Sequence, residues 1–169
     1  MKALLISQYQ ASLCTLAHCV ARCPEELWHT HVAKYPFCQS AFHTLLFADY
    51  YLEPDPETMR QQPFHQENPK LFDDYEQLLD REPVSLYERT QIEEYANFCR
   101  FKAVRAISAE TEESFAAPSK VTRRKCSRAE VHVYNIRHIQ HHAAQLILRL
   151  RLDTKIDIPW IGSGWIDPH

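Results

Sequence analysis

The chain reads as an all-α protein, a four-helix bundle in a single domain, on three observations: four blocks of helical apolar periodicity, two reciprocal capping boxes and a near-absence of glycine. Its two glycines, Gly162 and Gly164, lie near the C-terminus. A fold rich in tight hairpins is therefore disfavoured, and glycine-rich phosphate loops and dinucleotide fingerprints are excluded.

The first block runs from about Leu4 to Ala21, with Leu5, Tyr9, Leu13, Leu16 and Val20 at helical spacing, and stops before Cys23-Pro24. The second begins near Pro36, a residue at home in a first turn, and ends before Pro54. Ser85-Leu-Tyr-Glu88 opens the third, which continues to about Ile107, and Ser127-Arg-Ala-Glu130 opens the fourth, which continues to about Leu152. In both boxes serine would bond the N3 amide while glutamate reaches back to the cap.

Residues 54–84, between the second and third blocks, are rich in proline and acid, with a short helix expected around Leu71 to Leu79. A connection this long can travel the length of a bundle, so that the second and third helices run parallel in an up-down-down-up order. Residues 109–120 read as a polar loop, and the basic cluster from Lys120 to Arg128 as a solvated connector. The domain spans 1–169, with its core at about 4–152. Residues 153–169 form an irregular tail whose Trp160 and Trp165 pack on the body or on a partner.

The formal charge of −3 gives no electrostatic reason to expect nucleic acid. No segment approaches the ~20 apolar residues that cross a bilayer. The six cysteines include no C-x-x-C pair. They read as small buried residues of a reducing cytoplasm, not as a disulfide framework or a zinc ribbon.

The chemistry concentrates in His138-Ile-Gln-His141-His142-Ala-Ala-Gln145. His138 and His142 share a helix face, and two imidazoles one turn apart can grip one transition metal. With ten histidines in the chain, chance alone supplies ~0.6 such pairs, so context must decide. The context is His43, set among Phe42, Phe47 and Tyr50 in another helix, which would add a third ligand and leave coordination positions open. A di-iron bundle would need two E-x-x-H motifs, and Glu26-Leu-Trp-His29 is the one present. Cys99, among Phe98 and Phe101, is the alternative nucleophile, and His29 with His31 reads as surface decoration.

A histidine in the second helix with H-x-x-x-H-x-x-Q in the last resembles the DinB-like metal-binding family, and Cys23-Pro-Glu-Glu-Leu27 followed by Ser40 and Phe42-His43 resembles its second-helix approach. The resemblance covers roughly Leu4 to Leu152. It implies one divalent metal (zinc, nickel or iron) on His43, His138 and His142, with Gln145 as the polar residue after the last histidine. His141 departs from the family pattern and reads as an outer-shell or solvent-facing residue. The insertion around His65 also departs from it and would add a wall or lid. The resemblance implies thiol-dependent transferase or isomerase chemistry with a low-molecular-weight thiol as co-substrate, and the function expected of this chain is a metal-dependent thiol transferase or a hydrolase acting on a small molecule, with a homodimer compatible with the fold. The competing class is a non-catalytic bundle whose histidines or tryptophan tail serve a structural metal or a partner.

Overall fold

The structure is a computed structural model that describes residues 1–168, the Glu76 side chain excepted. It is mostly helical. In chain order its elements are α1 (Lys2–Arg22), α2 (Glu25–Trp28), a minimal antiparallel hairpin of β1 (His31–Val32) and β2 (Tyr35–Pro36), α3 (Phe37–Leu52), α4 (Pro63–Glu67), α5 (Arg89–Ala109), α6 (Glu112–Ala116) and α7 (Arg128–Thr154). Three 3-10 turns, Pro56–Gln61, Pro69–Phe72 and Tyr75–Leu78, fill the connection between α3 and α5.

Helix α1 stops at Cys23, held extended (φ −68°, ψ 120°) ahead of Pro24, which disfavours helix in the residue before it. Pro36, also extended, launches α3. The hairpin between them turns at Ala33, whose φ of +62° lies in the left-handed region that glycine would normally fill.

The four long helices pack so that α1 and α3 each contact both α5 and α7. Lys2 Nζ donates to Ser108 O at 2.7 Å while Arg89 reaches Val20 O at the other end, so α1 and α5 run antiparallel. Phe42 faces Tyr95 and Asp49 binds Lys102, so α3 and α5 run the same way. Helix α7 runs against α3, and its register is pinned by polar side chains. Arg128 donates from Nη1 and Nη2 to Tyr51 O and Leu52 O, both at 2.7 Å, and Asn135 Nδ2 donates to Ala48 O at 2.8 Å. Leu13, Leu16, Leu45, Leu46, Ile92, Ile139 and Leu146 fill the space between the helices and are fully buried.

Four local expectations are corrected. Helix α5 begins at Arg89, not after Ser85, because the Asp74 carboxylate accepts the amides of Val84 and Ser85 at 2.7 and 2.6 Å, and Tyr87 O accepts from Trp28 Nε1 at 2.7 Å. These bonds hold the segment extended, and the helix is capped instead by the Glu88 amide donating to Gln91 Oε1 at 2.9 Å. The box at Ser127 and Glu130 forms as read. Leu71 to Leu79 is not one continuous helix: it takes in the end of one short 3-10 helix and the whole of a second. Residues 109–120 contain α6, which buries Phe115. Arg128 is not a solvated residue of the basic cluster: it is buried and salt-bridged to Glu110 at 2.8 Å, while Lys120, Arg123 and Lys125 are exposed.

The tail packs on the body. Gly164 donates its amide to Ser7 O at 3.1 Å, and the Arg100 guanidinium sits 4.1 Å from the Trp165 ring centre. Trp160 remains 84% exposed. Among the described residues no helix is long and apolar enough to cross a membrane.

Candidate metal centre

The antiparallel crossing of α3 and α7 brings His43 over the His138/His142 face. Ring centres lie 4.7 Å apart for His138 and His142, 4.9 Å for His43 and His142, and 5.6 Å for His43 and His138. One nitrogen from each ring falls in a set whose members all lie within 4.8 Å of one another. Among the described residues this is the one group of three or more His, Cys, Asp or Glu side chains so gathered.

Neighbouring amides fix two of the rings. His43 Nδ1–H donates to Gln77 Oε1 at 2.8 Å, and His142 Nδ1–H donates to Gln145 Oε1 at 2.9 Å. In that tautomer the lone pair of each ring sits on Nε2, the form a metal requires. Gln145 Nε2 in turn donates to His141 Nε2 at 3.2 Å, so His141 stands behind Gln145 in an outer shell. His138 Nδ1 is buried without any hydrogen-bond partner, an arrangement that costs free energy unless something else meets that ring.

All three imidazoles are half-buried and held neutral. Burial pushes His138 down to about 3, with His142, His43 and His141 adding in the same direction. Burial and then His43 bring His142 to about 4, against the opposing bond to Gln145. Burial also lowers His43, against Gln77. A neutral imidazole is the ligating form, so no proton has to be displaced near neutral pH.

Phe47 walls the cluster, 4.8 Å from His43 and 5.7 Å from His138, and Tyr51 lies 6.2 Å from His138. Phe42, expected beside the site, instead stacks on Tyr87 at 4.0 Å in the core. The open side is a groove of about 500 Å³ running from His43 and His142 between the hairpin and the end of α7. A larger apolar groove of about 620 Å³, between Leu4 of α1 and Val133 of α7, touches none of the three histidines.

Other candidates do not join the site. Cys99 is fully buried and burial raises its thiol well above the usual range, which removes it as a nucleophile. His29 is exposed with Nδ1 3.6 Å from Cys38 Sγ, and His31 is exposed on β1. Sequence reasoning missed Gln77, which a polar residue in a proline-rich connection does not advertise. It also missed a buried ionic cluster around Asp49. That carboxylate accepts from His65 Nε2 at 2.7 Å, Tyr95 OH at 2.8 Å, Gln62 Nε2 at 3.3 Å and Lys102, which also pairs with Glu53. Burial alone would raise Asp49, but His65 and Lys102 outweigh it and hold the carboxyl below its ordinary value. Because His65 and Gln62 come from the connection, this cluster bolts residues 54–84 to the bundle that Gln77 then serves. No family model, curated protein or solved structure matches the chain.

Proposed function

We propose that His43, His138 and His142 bind one divalent transition metal with coordination positions left open, and that the protein is a metal-dependent enzyme acting on a small molecule. The observation that carries this reading is the convergence of three neutral imidazoles beside an orphaned buried ring nitrogen. The donor set fits zinc, nickel or iron. When bound, such an ion lowers the pKa of a coordinated water or thiol and makes a nucleophile near neutral pH.

The residues of the chain do the rest. Gln77 and Gln145 hold two imidazoles in the ligating tautomer, and Phe47 and Tyr51 keep bulk water from one side, which strengthens the field inside. The groove admits substrate from the opposite side. The helix pairings support an up-down-down-up bundle as the frame, and with the three histidines they support membership of the DinB-like group. The favoured reaction class is transfer between a low-molecular-weight thiol and a small electrophilic molecule, for which an ion held by His43, His138 and His142 would supply thiol activation, with hydrolysis as the variant that uses water. A cytoplasmic setting suits five buried free cysteines.

The test is metal content by mass spectrometry after reconstitution with zinc, nickel or iron, in the wild type and in His43→Ala, His138→Ala and His142→Ala. One equivalent per chain that vanishes in each variant is expected. Turnover of an electrophile by the loaded protein only when a thiol is added would then identify the thiol branch. Equal metal content in the wild type and all three variants would sink the reading.

A further inference from the structure

The groove beside the histidines has a composition that its surroundings do not explain. It is bounded on one side by Val32, Lys34 and Tyr35 of the hairpin and on the other by Leu148, Arg149 and Leu152 of α7. Its charged lining consists of Lys34 and Arg149. No carboxylate lines it among the described residues, and Glu82 and Asp153, which pair with these two cations, stand outside the lining. Leu148 and Leu152, one helical turn apart, remain 58% and 68% exposed along it. Single exposed leucines are ordinary, but two on the wall of a groove that carries Lys34 and Arg149 and opens on a metal-competent cluster form an apolar track.

Both cations are able to take a new partner. Lys34 pairs with Glu82 across open solvent, with side chains 59% and 68% exposed, and an ion pair of that kind contributes little to stability. Arg149 forms a two-point fork with Asp153 through Nε and Nη2, at 2.5 and 2.6 Å. A guanidinium carries five N–H donors, so that fork leaves donors for a second acceptor. Arg149 follows His142 by seven residues, about 10 Å along the helix.

We propose that this groove binds a small anionic amphiphile, a molecule whose carboxylate meets Arg149 and Lys34 and whose apolar body lies on Leu148, Leu152 and Val32. Its other end reaches His43 and His142. Only that last placement rests on the metal reading, since the groove's walls are complete without an ion. The volume suits a ligand of this size: binding clefts for small molecules typically span about 300–1,000 Å³. The pairing of one anion with an apolar track also sets selectivity. A short carboxylate lacks the track, and an uncharged chain lacks the anchor.

The experiment is a calorimetric titration of metal-free and zinc-loaded protein with octanoate, acetate and octan-1-ol, with zinc content measured in parallel. Octanoate is expected to bind both forms, at least about tenfold tighter than acetate and about tenfold tighter than octan-1-ol. The double variant Lys34→Gln with Arg149→Gln should abolish the advantage over octan-1-ol, and Leu148→Ser with Leu152→Ser should abolish that over acetate. All four positions are at least partly exposed, so unchanged melting of the variants is the accompanying control. Octanoate binding no tighter than the two controls, or untouched by both double variants, overturns the proposal. Octanoate binding without zinc uptake leaves the groove assigned and removes only the metal reading, and zinc uptake without octanoate binding does the reverse.

Discussion

Helix α3 carries two polar clusters six residues apart, and they are built on opposite plans. Around Asp49, none of the buried polar side-chain atoms of Asp49, Glu53, His65, Tyr95 or Lys102 lacks a partner. Around His43, two buried nitrogens, His138 Nδ1 and Gln77 Nε2, have none. Both clusters pay to be desolvated, but the first recovers its cost within the protein and the second does so only in part. Closure identifies the Asp49 cluster as a fastening of the connection to the bundle. Incompleteness leaves the histidine cluster able to accept a metal ion.

Breaking the closed cluster should have the largest effect. Asp49→Ala strands Lys102 and His65 in a dry interior, and we expect a loss of about 3–5 kcal/mol in denaturant unfolding. A loss below about 1 kcal/mol would show that the cluster is wet and the contrast wrong. His138→Ala attacks the open cluster and should behave in the opposite way. It should abolish metal uptake while the metal-free protein unfolds at nearly the wild-type denaturant concentration.

Gln77→Leu sharpens the comparison further, because it removes only the amide that orients His43. Metal affinity should fall about 10–100-fold by competition against a chelator, with the fold intact. Unchanged affinity would make Gln77 a bystander.

The smallest effect is a difference of slope. In the metal-free protein, His138 and His142 have folded values of about 3 and 4, below the ordinary ~6.5 of the unfolded chain. As pH drops below ~6.5, the unfolded state takes up protons that the native state refuses, so stability falls by up to about 1.4 kcal/mol per pH unit for each histidine. Asp49, whose carboxyl is lowered, contributes stability present above its unfolded value and lost only as pH falls through its folded one. Urea melts between pH 6.5 and 5 should therefore report the lowered histidines together, with His43 and the buried His132, brought to about 4, adding to the slope, and the slope should be shallower in His138→Ala than in the wild type.

The histidine centre was legible because its parts are periodic: His138 and His142 share a face by spacing, and His43 sits in an apolar stripe that must turn inward. The Ser127 box was legible for the same reason, since its partners lie three residues apart. Ser85 and Glu88 have that spacing too, yet the box does not form there, because Asp74, eleven residues upstream of Ser85, takes the serine amide first. Local spacing cannot register such a competitor. Gln77, the Asp49 partners and the burial of Arg128 depend on where residues 54–84 and α6 come to rest, and no period in the sequence encodes that.

Arg128 and Asn135 act on the histidines without touching them. By gripping the last carbonyls of α3 and Ala48 O, they set the phase at which α7 passes its neighbour, and His138 and His142 lie downstream of both. One residue added between Asn135 and His138 would leave a helix of the same composition and turn the pair by about 100°, away from His43. Substitutions in that short interval should be tolerated far more readily than insertions or deletions. Reading frame along the helix, more than the identity of the residues in between, is what a lineage retaining this centre would have to keep.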